Sequence, residues 1–340
     1  MSLSGAVSLT AQRLSTGSLD KIPAWYKDTY MSKTAFIFPG QGSQYSGMGK
    51  ELADTFTAAR QLFEEADEAL GFKLSELCFD GSESDLKLTA NTQPAILTAS
   101  IAILKVVEQE TGLKADYVAG HSLGEYSALV CSGALSFVDA VRTVRARGTF
   151  MQEAVPVGTG TMAAMLGIES DILEEICREA AEGDIVSPAN FNSPGQIVIA
   201  GSVAAVARAI EIAKGRGFRK AMLLPVSAPF HCALMKPAAD RLAEVLAKIT
   251  VNKMNVPVMA NVDAAPNSDK LRVQSLLVSQ VCSPVLWEQS VNTMTALGVT
   301  KYVELGPGKV LSGLVKRINK EAILSNIENV AGIKTAGEIV

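Results

Sequence analysis

The chain has 340 residues and a mass of 35.9 kDa, with 48% hydrophobic and 19% charged residues. That balance excludes a disordered or collagen-like body and predicts two α/β units, or one large unit carrying an insertion. A net charge of −4 and a pI near 5.5 argue against nucleic acid as a partner, and no uninterrupted apolar run reaches the ~20 residues expected of a membrane-spanning helix. The cysteines, Cys78, Cys131, Cys177, Cys232 and Cys282, form no C-x-x-C pair. This excludes a zinc ribbon or dithiol redox site and points to a reducing, cytoplasmic compartment. Cys232 directly follows His231, but nothing nearby would lower its pKa, so it reads as a small buried hydrophobe.

Residues 1–31 are rich in Ser, Thr and Leu without clear periodicity and lack a secretory apolar core, so they read as a leader or tag outside the fold. Residues 34–38 (TAFIF), ended by Pro39-Gly40, predict a buried strand entering a loop. Residues 51–70 space Leu52, Phe56, Ala59, Phe63, Ala66 and Leu70 at threes and fours, an amphipathic helix closed by Gly71. Asn91-Thr92 read as the cap of an apolar helix with Pro94 in its first turn, running to about residue 110. A second strand at 117–119 precedes another helix from Glu125, and this alternation predicts a parallel sheet wrapped by helices.

Between 157 and 226 the rhythm changes to strand 161–167, helix 170–181, strands 185–190 and 196–200, helix 203–214 and strand 220–225. That β-α-β-β-α-β order is the ferredoxin-like pattern and predicts a lobe inserted into the larger domain. The α/β style then resumes with a helix from about Met235, a strand near 256–260, a helix through Leu276, a strand at 302–305 and, after Gly306-Pro307-Gly308, a last helix. The predicted organisation is therefore a sheet domain from 32–156 and 227–325, a lobe at 157–226 and a C-terminal tail at 326–340.

Gly120-His121-Ser122-Leu123-Gly124 is a G-x-S-x-G sequence between a strand and a helix, the context of a nucleophile elbow. Glycines two positions either side of the serine remove side chains that would collide with the tight turn. Ser122 at a helix N-terminus gains from the amide dipoles, and the Leu123 N–H is placed for a developing oxyanion. A structural serine in a glycine turn is the alternative. The chain holds only two histidines. His121 adjoins the serine and is expected to point away from it, which leaves His231 as the base. No Asp or Glu is marked as a third member; a backbone or amide carbonyl would orient the ring instead. Gly40-Gln41-Gly42 fails as a P-loop and as a dinucleotide turn, so it reads as a second oxyanion donor or a plain connection. Gly158-Thr159-Gly160 precedes a strand rather than a helix, so its match to a dinucleotide motif is fortuitous.

FPGQGSQ (38–44), QPA (93–95), GHSLGEYSAL (120–129), RG (147–148), NFNSPGQIVIAG (190–201), APFH (228–231) and ELGPGKVL (304–311) occur together and in order. With these segments the chain resembles the malonyl-CoA:acyl-carrier-protein transacylases of dissociated fatty-acid synthesis, over about residues 33–325. The resemblance implies an α/β-hydrolase-like parallel-sheet domain with an inserted ferredoxin-like subdomain. It also implies transfer of malonyl from malonyl-CoA to the phosphopantetheine thiol of acyl carrier protein through a malonyl-serine.

Position by position it makes Ser122 the nucleophile and His231 the general base, with the backbone N–H groups of Gln41 and Leu123 as the oxyanion hole. Arg147 would bind the free malonyl carboxylate, and the backbone carbonyl of Gln280 would orient the histidine. Asn190 and Asn192 would line the cleft between the lobes, and the bulk of Phe230 would crowd an α-methyl branch. Because the serine carries the acyl group covalently, no metal or cofactor is needed. The expected partners are malonyl-CoA and an acidic carrier, with no nucleic acid or membrane, and the protein is expected to act as a monomer. The densest basic cluster, Lys214, Arg216, Arg219 and Lys220, is the expected carrier-docking patch; Lys309, Lys316, Arg317 and Lys320 form a second candidate. A serine hydrolase and a non-catalytic scaffold are the competing readings.

Overall fold

A computed structural model describes residues 32–226 and 228–336; residues 1–31, expected to be a leader or tag, lie outside the described residues. The main sheet has six strands. In chain order they are β1 (Lys33–Phe38) and β2 (Tyr117–Gly120), then, after four strands belonging to a second sheet, β7 (Val258–Met259), β8 (Pro266–Asn267), β9 (Val299–Leu305) and β10 (Ile323–Ile327). Their spatial order is β10-β9-β1-β2-β7-β8, with every pair parallel except β7–β8. The last four residues of β1 and the last three of β2 are buried, as strands covered on both faces must be. The second sheet holds β3 (Gly160–Leu166), β4 (Val186–Ser193), β5 (Gln196–Ser202) and β6 (Lys220–Leu223) in the antiparallel order β4-β5-β3-β6. With helices Ser170–Ala181 and Val203–Gly215 this is the β-α-β-β-α-β arrangement read from sequence.

Parallel pairing gathers the carboxyl ends of neighbouring strands at one edge. Phe38 pairs with Gly120, and Ala119 with Met259. The loops after β1, β2 and β7 therefore start side by side and bring Gln41, Ser122 and Asn261 to one place. Behind them runs the helix Thr89–Thr111, buried nearly all round. It is long and apolar enough to cross a membrane by length and composition, yet 83% of its apolar window is buried inside the fold, which is the signature of a core helix.

Several sequence expectations need correction. The helix expected over 51–70 is two, Lys50–Thr55 and Thr57–Leu70, because Phe56 is extended (φ −117°, ψ 122°) and ends the first. Asn91-Thr92 do not cap the core helix. It begins at Thr89 after Leu88, and the Thr92 hydroxyl bonds back to the carbonyls of Leu86 and Leu88. The supposed tail from 326 belongs to the fold: β10 runs to Ile327, and helix Val330–Ala336 buries Ile333 and Ala336 in the main core. Helix Trp287–Ala296, with Trp287 fully buried, has no counterpart among the elements expected from sequence.

Candidate active site

Ser122 sits at the turn between β2 and the helix Gly124–Cys131 with φ +53°, a left-handed conformation costly for a non-glycine residue. Close packing makes the two flanking glycines necessary. A Cβ on Gly120 would lie 1.9 Å from the Gly124 carbonyl carbon, and one on Gly124 would lie 2.1 Å from the Phe38 oxygen. His231 is the second strained residue of the site, at φ +60°.

The Ser122 hydroxyl is 2.8 Å from His231 Nε2, and His231 Nδ1 is 2.8 Å from the backbone oxygen of Gln280. A carbonyl can only accept, so Nδ1 carries the proton and Nε2 offers its lone pair to the serine O–H. Burial, aided by the Arg147 charge, pushes the His231 pKa down to about 3, so the ring is neutral near pH 7. The expected absence of an acidic third member thus has a counterpart in the geometry: a backbone oxygen holds the ring. Gln41 and Leu123 both line the cavity, and the backbone N–H of neither donates to a protein acceptor among the described residues, whereas that of Gly42 is tied to Gln44 Oε1 at 2.8 Å.

Arg147, on the helix Phe137–Glu153, is 1% exposed. Its neighbour Gly148 lets that helix approach the core helix: a Cβ there would lie 2.6 Å from the Thr89 oxygen. Arg147 Nη1 donates to Gln93 Oε1 at 2.8 Å, and Nη2 donates to Ser122 Oγ at 3.0 Å and Gln280 Oε1 at 2.9 Å. Its buried Nε has no hydrogen-bond partner. No ion pair joins it to a carboxylate among the described residues, so a desolvated cation faces the cavity with donors to spare. Burial lowers its pKa.

The cavity beside Ser122, about 120 Å³, is walled by Met151, Met162, Asn190, Leu224, Val226 and Phe230 as well as by the polar groups. Asn190 reaches this wall. Asn192 does not; its Oδ1 instead lies 2.8 Å from His121 Nε2. His121, expected to point away, shares the cavity wall, but its ring bonds Asn192 and packs tilted against Trp287, centroids 5.9 Å apart, rather than serving Ser122. Cys232 is buried with its Sγ on the Pro229 oxygen, and burial raises its pKa to about 11, as expected of an inert thiol.

Three buried residues of the site escaped sequence reasoning. Asn261 accepts from the Ser122 N–H (2.7 Å) and donates to the Gly120 oxygen (2.7 Å), clasping both sides of the elbow. Glu125 accepts at one oxygen, Oε2, from the Asn261 N–H (3.0 Å) and from Gln280 Nε2 (2.7 Å). Gln93 holds Arg147. Gln93 and Glu125 lie inside segments the sequence had flagged, QPA and GHSLGEYSAL, whereas Asn261 carries no sequence signal.

In the expected docking patch the four cations are exposed, but two are already paired: Lys214 with Glu211 (2.6 Å), and Arg216 with Glu175 (3.4 Å) and Glu179 (2.5 Å). In the second cluster Arg317 bonds Gln196 and Lys316 bonds the Lys320 oxygen.

A strained serine on an elbow, a neutral imidazole and two free amides define a site built for acyl chemistry on a hydroxyl. Consistent with that class, residues 35–338 match the acyl transferase domain family. The malonyl CoA-acyl carrier protein transacylase of Bacillus subtilis is 54% identical over 85% of this chain and 92% of its own length. The crystal structure of an acyl carrier protein S-malonyltransferase from Vibrio cholerae covers 89% of this chain and 99% of its own, at 49% identity and a TM-score of 0.87. A malonyl-transacylase solved in complex with its type II PKS acyl-carrier protein covers 91% and 100%, at 46% identity and a TM-score of 0.88. The chain belongs to the acyl transferase family and, within it, to the malonyl CoA-acyl carrier protein transacylases.

Proposed function

We propose that this protein transfers malonyl from malonyl-CoA to the phosphopantetheine thiol of an acyl carrier protein, supplying the extender unit for fatty-acid synthesis. Ser122 Oγ attacks the thioester carbonyl as His231 Nε2 takes its proton, and the N–H groups of Gln41 and Leu123 receive the oxyanion. The C–S bond breaks, and the departing CoA sulfur takes the proton from His231. In the second half the carrier thiol gives its proton to His231 and its sulfur attacks the malonyl-serine ester. The C–O bond breaks, and Ser122 recovers its proton. Phe230 limits the room at the α-carbon.

The observation that carries the reading is Arg147: a buried guanidinium with no carboxylate at ion-pair distance among the described residues, its Nη2 within hydrogen-bond reach of the nucleophile and its buried Nε unused. Burying such a charge is costly unless an anionic ligand repays it, and the free carboxylate of malonyl is such a ligand. The lobe at 157–226 closes over this cavity with Met162 and Asn190. The protein works as a monomer in the cytoplasm, where its five free cysteines stay reduced.

The test is incubation with malonyl-CoA alone, followed by mass spectrometry of the Ser122 peptide. A persistent malonyl ester that a carrier thiol then removes is the expected result. Rapid malonate release without a carrier would make the protein a hydrolase, and an unmodified Ser122 would refute the chemistry.

A further inference from the structure

Resting on that reading of the site, we infer that Glu125 is a positioning residue whose single oxygen Oε2, by accepting from both Gln280 and Asn261, aims the carboxylate clamp and the nucleophile together. Glu125 is 2% exposed, and its oxygen touches none of the reacting atoms. Two chains of contact run from it. Through Gln280 Nε2 (2.7 Å) it holds a side-chain amide whose Oε1 accepts from Arg147 Nη2 (2.9 Å), in the residue whose backbone oxygen accepts from the His231 ring (2.8 Å). Through the Asn261 N–H (3.0 Å) it holds the side chain that accepts from the Ser122 N–H and donates to the Gly120 oxygen.

The logic follows from donor and acceptor types. Arg147 only donates, so the Gln280 amide must turn Oε1 toward it and its NH2 group the other way. That NH2 then needs acceptors in a buried place. It has the Ser122 oxygen at 3.0 Å and Asn261 Oδ1 at 3.3 Å, but the shortest bond is to Glu125. A carboxylate bonded directly to Arg147 would hold it too, but would occupy the donors that an acyl carboxylate needs. Set one amide away, Glu125 orients the guanidinium and leaves it free. Burial pushes the Glu125 carboxyl up to about 7, so its work is that of a placed acceptor more than of a full charge.

Glu125→Gln keeps an acceptor at the same reach and loses the charge, whereas Glu125→Asp keeps the charge and withdraws it by about 1.5 Å, one carbon–carbon bond. Initial rates of Ser122 acylation from malonyl-CoA and acetyl-CoA are compared by intact mass for both variants and wild type. We expect E125Q to keep the malonyl-to-acetyl preference within about threefold and E125D to lose about tenfold of it, the worth of one charge-assisted hydrogen bond. E125D should also slow acetyl acylation, since Asn261 and Ser122 lose their anchor, but malonyl acylation more; the reverse order, or an unchanged preference in E125D, overturns the inference. Gln280→Met cuts the same link from its other end while keeping the carbonyl on His231. It should lose the preference likewise, and an unchanged preference there overturns the inference even if E125D does not fold. Wild type that forms no malonyl ester sinks the functional reading itself; wild type that forms it beside indifferent variants sinks only the role of Glu125.

Discussion

Arg147 Nη2 lies 3.0 Å from Ser122 Oγ, so the cation and the hydroxyl share a hydrogen bond. A malonyl carboxylate on this guanidinium would hold the attached thioester carbonyl a few bonds away, beside the serine. On the proposed reading, the clamp would both select the substrate and set which end reacts. Hydrogen bonds to charged groups are worth about 1.5–3 kcal/mol each, so losing two costs roughly a hundredfold or more. We predict that Arg147→Met lowers malonyl acylation of Ser122 by at least about a hundredfold and acetyl acylation by no more than about threefold. Equal losses in a side-by-side rate measurement would refute the clamp.

The buried imidazole makes a pH prediction with a definite sign. His231 is neutral in the folded protein down to about pH 3, whereas the unfolded chain protonates it near the ordinary 6.5. Between those values the unfolded state binds more protons, so this residue's contribution to stability falls as pH falls from 6.5 toward 3. Relative to His231→Asn, wild type should lose up to about 2 kcal/mol between pH 7.5 and 5, at 1.36 kcal/mol per pH unit. Urea unfolding of both proteins at the two pH values checks it; a constant difference would mean that His231 is solvated. The acylation rate should likewise show no inflection near 6.5.

The site was legible in sequence where its chemistry demands rare residue types or empties space around them. Two histidines in 340 residues leave little choice of base, and Gly120 and Gly124 mark the elbow because nothing larger fits. What stayed hidden depends on contacts far apart in the chain. Asn261 reaches the elbow, 139 residues earlier, from the loop after a strand that the sequence does show near 256–260, but nothing in that loop's residues marks which strand end it will meet. Glu125 reads as an acid favouring a helix N-terminus, and only the fold turns it inward. The supposed tail was missed for a related reason. The last three residues of β10 are Ser-Asn-Ile; Ile323 is exposed, the middle three residues are partly buried and only Ile327 is buried, so its place beside β9 comes from pairing and not from composition.

Gly148 tests whether the arginine depends on the packing of its helix. A methyl group there would strike the Thr89 oxygen at 2.6 Å and the Ala90 Cα at 2.9 Å, both backbone atoms of the core helix. Neither can turn away, so the helices must separate by more than half an ångström, at a cost of about 1–3 kcal/mol. Gly148→Ala should lower the melting temperature and, in the folded protein, malonyl acylation more than acetyl acylation, since Arg147 moves with the helix. An unchanged melting temperature would show that the contact is soft.

The proposed carrier-docking patch divides by ion pairing. Lys214 and Arg216 already face Glu211, Glu175 and Glu179, and a cation so paired offers a weak field to an incoming acidic surface. Arg219 and Lys220 are exposed, and β6 leads from Lys220 past exposed Met222 and Leu223 to Leu224 and Val226 in the cavity wall. We therefore predict that Arg219→Glu with Lys220→Glu raises KM for the carrier by about tenfold, more at low salt, and leaves KM for malonyl-CoA within about twofold. Lys214→Glu with Arg216→Glu should change KM for the carrier by less than about threefold. Steady-state kinetics at two ionic strengths separate the cases: equal effects from the two pairs would place the carrier across the whole cluster, and no effect from either would move it to another face.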